Sequence, residues 1–428
     1  MRPRSLPVRY GVAGMLFITV AINYLDRGNL AVAATDLAAD LRLDPVRLGF
    51  LFSAFGWAYA LCQIPGGWLV DRIGPRGLYA SVCGLWSLAT LAQGLASAFL
   101  VLFGLRLLLG LFEAPTFPIC SQLVTRWFPE RERAGAIGFY TAGQFACLAF
   151  LTPVLVYAQH RLGWRSVFFL TGGLGLVWAA LWYACYRDPA HSRRLQPAER
   201  DLIRAGGGWV DGGSAAEPAP RVQVTWGDLR FVLTQRKLWG LYLGQFALNA
   251  IPWFFLTWFP TYLVSARHID FNRASWATTS LPFVGAFAGV IAGGVCSDWM
   301  VRRGVSPTFA RKAPIIAGML LSTSVIGANF ATGSRGVLFF LTLAFFGNGF
   351  ASITWTLVSL VAPKRLLGLT GGVFNFCGNG APIVVPLVIG YLVKHGGFAP
   401  ALAFIAVVAL GGALAYGTLV GKVERIAE

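Results

Sequence analysis

A chain of 428 residues that is 56% hydrophobic and only 12% charged, with mean hydropathy +0.63, is not an ordinary soluble domain, where about a quarter of residues are charged. The formal charge of +17 invites a nucleic-acid partner, but the Lys and Arg collect in alternate loops between apolar runs. That is the positive-inside pattern of a membrane protein and gives no reason to expect nucleic acid. The runs are continuous rather than alternating, which argues against a β-barrel and predicts an all-α polytopic membrane protein.

In chain order, spans are predicted near 10–34, 46–70, 77–96, 99–124, 134–158 and 166–186. A polar stretch from Arg187 to Arg236 follows, rich in Gly, Ser and Pro, with a short helix near Pro197–Ala205. Six more spans are predicted near 238–263, 274–298, 313–331, 336–361, 366–393 and 399–420. The expectation is twelve transmembrane helices in two six-helix bundles, residues 1–186 and 238–428, joined by a linker over 187–237. The basic loops direct both termini and the linker to the cytoplasm. The first run is read as a full span and not a cleavable leader, because charges lie inside it.

Those charges are Asp26 and Arg27. Each costs roughly 2.5–3.5 kcal/mol at mid-span on insertion scales, so two together require a reason. They either neutralise one another inside a bundle or face a water-filled path and meet a charged solute. In the fourth span Arg106 and Glu113 lie seven residues apart, two turns, and so share one helix face. Two acids and two bases can balance. A carboxylate bound by an arginine would leave surplus negative charge, which proton uptake by Asp26 or Glu113 removes. Arginine suits the anchor because its fork binds carboxylate bidentately.

After the second span comes Gly67-Trp68-Leu69-Val70-Asp71-Arg72-Ile73-Gly74-Pro75-Arg76. After the eighth comes Gly294-Val295-Cys296-Ser297-Asp298, then Arg302 and Arg303, a weak internal repeat. An acid at a helix end followed by arginines can make ion pairs that hold a gate. Shifting Asp26 and Arg27 by the repeat offset lands on Trp253 and Phe254, so the second half has no matching charges. Its polar groups are neutral: Ser352, Thr354, Trp355, Asn375 and Asn379. Gln144 and Asn375 are large amides in apolar helices and need partners. The expected site is divided, with carboxylate and protons handled by the first half and hydroxyls by the second. The seven cysteines stand singly in apolar segments and the four histidines in loops, so neither a metal site nor covalent catalysis is expected.

The stretch Gly67–Arg76 resembles the signature loop of the major facilitator superfamily, and the six-plus-six pattern resembles its architecture. Tyr24–Arg27, Gln63–Trp68, Arg106 with Glu113-Ala114-Pro115, and Arg126–Pro129 with Glu132-Arg133 resemble the anion:cation symporter branch. Gly138–Phe145, Ala344–Leu357, Gly368–Phe376 and Gly397–Leu402 resemble its sugar-acid carriers, D-galactonate:proton symporters first, glucarate and hexuronate carriers next. The resemblance implies a proton-coupled importer of a sugar-acid anion, D-galactonate above all, working by alternating access and not an enzyme. It implies Tyr24, Arg27, Tyr59, Gln144, Ser352, Thr354, Trp355 and Asn375 around the substrate. Asp26 and Glu113 would couple protons with Arg106 in support, and Gly67, Asp71, Arg72, Gly74 and Arg76 would form the gating motif. The implied setting is a monomer among the lipids of a bacterial inner membrane, with protons as coupling ion and no cofactor. Cys377–Pro382 is less glycine-rich than that pattern. Organic-anion exchange, a different sugar acid and a non-transporting sensor remain alternatives.

Overall fold

The computed structural model describes residues 7–210, 225–269 and 276–426, without the side chains of 64, 68, 71 and 276–279. Among the described residues there are helices and connecting turns but no strands. The long helices are α1 Val8–Asp40, α2 Pro45–Ile73, α3 Pro75–Leu95, α4 Phe99–Trp127, α5 Glu130–Leu162 and α6 Arg165–Cys185. After the linker come α7 Arg236–Thr257, α8 Trp276–Arg302, α9 Pro307–Asn329, α10 Ser334–Val361, α11 Leu367–Gly396 and α12 Phe398–Leu419.

Eleven of these contain a segment long and apolar enough to cross a membrane. The exception is α7, the expected span 238–263. Its 22 residues measure about 33 Å, enough for a hydrocarbon core of about 30 Å. Gln245, Asn249 and the Trp and Tyr residues between Arg236 and Thr257 hold its hydropathy below that of the others. The expected short helix is present as Pro197–Ala205, with Pro197 at the first turn where its missing N–H costs nothing.

Prolines and glycines set the helix limits. Gly74 takes φ 85°, which ends α2, and Pro75 opens α3. Pro115 follows Glu113 directly after Ala114 and divides α4 into Phe99–Glu113 and Thr116–Trp127.

The described residues fall into two compact units, one within Met1–Asn29 and Trp57–Arg221, the other within Leu30–Gly56 and Val222–Glu428. In the first, α3 and α6 lie so close that a Cβ on Gly175 would overlap Ser87 Oγ. Tyr79 and Trp182 continue that seam with ring centroids 4.4 Å apart. Glu199 on Pro197–Ala205 accepts from the backbone N–H groups of Val8 and Arg9 at 3.0 and 3.2 Å. Arg9 also pairs with Glu132 and Glu199, each at 3.0 Å, so the short helix, α1 and α5 are tied at one end.

In the second unit, residues 45–56 of α2 pack against α11. A Cβ on Gly49 would lie 2.7 Å from the Pro386 carbonyl, and Trp258 Nε1 donates to that same carbonyl at 3.2 Å. Asp44 and Lys394 close the end of this seam at 2.9 Å.

Candidate functional site

Consecutive residues on an α-helix point about 100° apart, and Asp26 and Arg27 leave α1 in different directions. Arg27 reaches α4, where its Nε donates to Glu113 Oε2 at 2.9 Å. Its guanidinium carbon lies 4.9 Å from the ring centroid of Tyr24, 4.7 Å from Tyr59 and 5.9 Å from Phe117. Aromatic faces attract a desolvated cation without neutralising it. Arg27 is 5% exposed and Glu113 0%. Removing one partner of such a pair leaves an uncompensated buried charge, which costs about 3–5 kcal/mol.

Asp26 turns to α3, where Trp86 Nε1 donates to Oδ2 at 3.1 Å. Arg106 donates through Nη1 to the Asp26 backbone carbonyl at 3.3 Å and to Asn29 Oδ1 at 3.5 Å. Asn29 in turn donates to Thr171 Oγ1 on α6 at 3.1 Å. The four charged side chains are all buried. Arg27 and Glu113 form an ion pair under aromatic rings, while Asp26 and Arg106 sit in a mesh of amide, indole and hydroxyl groups.

The structure therefore brings Tyr24, Arg27, Tyr59 and Glu113 together and places Arg106 on the α1 backbone. Gln144 is half-buried on α5. Trp86, Asn29, Thr171 and Phe117 were not expected from sequence. The repeat Cys83, Trp86, Ser87, Thr90, Gln93 along α3 has helical spacing and is buried throughout. That polar stripe was the available signal.

In the second unit Ser352–Thr354 form a single tight turn between Ser334–Phe350 and Trp355–Val361. Thr354 is buried, and its hydroxyl donates to Gln245 Oε1 on α7 at 3.0 Å. Trp355 is 51% exposed and meets Phe374 edge-on at 4.9 Å. Asn375 is half-buried, and its backbone carbonyl accepts from Asn379 Nδ2 at 3.0 Å, so that Asn379 N–H serves its own helix. Gln245 was missed. With Asn249 it forms an i, i+4 amide pair inside an otherwise apolar helix.

Of the gating motif, the Asp71 side chain lies outside the described residues. Arg76 donates through Nη2 to the Tyr183 carbonyl at 2.8 Å and lies 4.5 Å from that ring's centroid. At the matching place in the second half, Asp298 pairs with Arg311 of α9 at 3.0 Å rather than with Arg302 or Arg303. Arg303 instead lies over Trp299 at 4.7 Å.

A family model described as Major Facilitator Superfamily matches residues 16–386. The chain is 51% identical to a D-galactonate transporter of Escherichia coli O6:H1, over 98% of this chain and 97% of that one. It is 40% identical to a probable galactarate/D-glucarate transporter of Escherichia coli K12, over 98% and 94%. Among solved structures, a bacterial homologue of the human lysosomal transporter Spinster superposes with a TM-score of 0.68 at 18% identity, covering 97% of this chain and 95% of that one. At that identity the likeness speaks for the fold alone.

Proposed function

The chain belongs to the Major Facilitator Superfamily, and from that footing we propose that it is a proton-coupled symporter importing a sugar-acid anion, D-galactonate first. The relative at 51% identity, a D-galactonate transporter, supports the substrate class. The observation that carries the mechanism is the Arg27–Glu113 pair, sealed beneath Tyr24, Tyr59 and Phe117.

In the empty carrier Arg27 neutralises Glu113. A substrate carboxylate takes the Arg27 fork, and Glu113 is left as a surplus buried charge. A proton delivered to Glu113 restores neutrality, so substrate and proton move together. Tyr24 and Tyr59 flank the arginine in both states. Gln144, Ser352, Trp355 and Asn375 are assigned to the sugar hydroxyls, with Thr354 acting through Gln245. Asp26, held by Trp86, is the second proton-coupling acid, and Arg106 fixes the α1 backbone beside it. Gly67, Asp71, Arg72, Gly74 and Arg76 keep their assignment to the gate. The carrier works by alternating access as a monomer among lipids of the bacterial inner membrane, with both termini and the linker cytoplasmic.

The test is uptake of labelled D-galactonate, D-glucarate, a hexuronate and lactate into proteoliposomes, with and without an imposed pH gradient. Gradient-dependent accumulation strongest for D-galactonate is expected. Equal uptake without a gradient would refute symport, and preference for another sugar acid would refute the substrate.

A further inference from the structure

Asn23 lies on α1 one turn before Arg27, on the same helix face. It is 0% exposed, and neither its Oδ1 nor its Nδ2 has a hydrogen-bond partner. Its amide faces the Glu113 carboxyl. Glu113 has one oxygen bonded to Arg27, and the other, Oε1, is also without a partner. A buried amide and a buried carboxylate oxygen thus stand together beside the ion pair, in contact but short of the geometry of a full hydrogen bond. Buried polar groups are rarely left so, and an idle pair at a site that changes partners has a use in another state.

We infer that Asn23 is a positioning residue for Glu113, its standby partner once Arg27 has left for the substrate. The inference rests on the symport reading above. An amide is suited to the task because it carries both an acceptor and donors. While Glu113 is ionised, Asn23 Nδ2 donates to it. Once the co-transported proton has added to a Glu113 oxygen, the new O–H donates to Asn23 Oδ1. A half-turn of the amide converts one arrangement to the other. Asp or Leu at this position could not serve both forms. Among the described residues, the charged and titratable groups around Glu113 are Tyr24, Asp26 and Arg27 from α1, Tyr59 from α2, Cys83 from α3, and Arg106 from its own helix. The neutral ones among them are already engaged: Tyr24 and Tyr59 flank the Arg27 guanidinium, and Cys83 donates to the Gly175 carbonyl at 3.5 Å.

The test measures the affinity of purified full-length carrier for labelled D-galactonate across the acid-to-neutral range. Wild type is expected to bind more tightly as pH falls, because a proton is taken up with the substrate. Asn23→Leu should lose roughly tenfold or more in affinity at the acid end and show a flattened pH dependence. Asn23→Ser, with a hydroxyl that both donates and accepts, should keep the slope. Should Asn23→Leu fold poorly, Asn23→Ala and Asn23→Ser form the comparison, differing mainly in that hydroxyl. Equal loss at every pH, which a packing role would give, overturns the inference, as does a wild-type slope in the Leu or Ala variant. A wild type whose binding ignores pH overturns the symport reading and the inference with it. A pH-linked wild type with an unaltered Asn23→Leu overturns the inference alone.

Discussion

Arg27 and Glu113, 86 positions apart in the chain, form a 2.9 Å ion pair from which solvent is excluded. The pair is tight, and neutral enough to sit in a membrane. On the symport proposed above, its weakness would be specific: a ligand carrying its own carboxylate would replace Glu113 at the guanidinium fork, with Glu113 then gaining a proton.

Arg27→Lys keeps the charge and loses the planar fork. Affinity for D-galactonate, measured by direct binding in detergent, should fall by roughly tenfold or more. Near wild-type affinity would remove Arg27 from the carboxylate site.

Glu113→Gln resembles the protonated acid in shape but has no proton to release. Binding of D-galactonate should persist, accumulation driven by a pH gradient should be abolished, and counterflow should survive because exchange needs no net proton release. Concentrative uptake by this variant under a pH gradient alone would shift the coupling role to Asp26.

Thr354→Val keeps the shape and leaves the buried Gln245 oxygen unpaired. The expected cost is about 1–3 kcal/mol of stability, read as a lowered melting temperature in detergent. Thr354→Ser, which retains the hydroxyl, should melt close to wild type. Equal melting of the Val and Ser variants would show that this bond holds nothing.

Asp44 lies outside the spans and is held below the usual carboxylate range, first by the Arg47 backbone N–H and then by Lys394. A carboxyl lowered on folding stabilises above its unfolded pKa, and the contribution fades as pH falls through the folded value. Melting of Asp44→Asn should therefore lie below wild type at neutral pH and converge with it in acid. The pair is half exposed, so the difference should be small and should shrink with salt. A gap that widens in acid would contradict this.

The fold was legible because a bilayer penalises charge so heavily that length and hydropathy mark the spans. The same penalty exposed Asp26, Arg27, Arg106 and Glu113. That Asp26 and Arg27 diverge follows from helix geometry, but their destinations do not, because Trp86 and Glu113 are brought up by packing between helices. Trp86 and Gln245 were hidden for a further reason: indoles and lone amides occur in apolar helices as packing, and only a partner distinguishes them. The span of α7 is legible as an apolar run, although its hydropathy falls below that of the other spans. Sequence order also conceals that residues 30–56 group with the C-terminal helices, since no local pattern encodes a contact with a segment made much later.

The Asp44–Lys394 contact joins residues 350 positions apart, and that separation has a consequence for biogenesis. At roughly 5–20 residues per second, the ribosome makes α11 on the order of tens of seconds after the start of α2. Until then the face of α2 carrying Gly49, Phe52 and Gly56 has only lipid or early helices for company. That face holds no group which acyl chains would reject. Ser53 donates its hydroxyl to the Phe50 carbonyl of the same helix at 3.0 Å, satisfied before any neighbour arrives. The nascent chain can thus insert α2 early and dock it late, and a charge introduced at Gly49 or Phe52 would strand the insertion intermediate before it could damage the finished carrier.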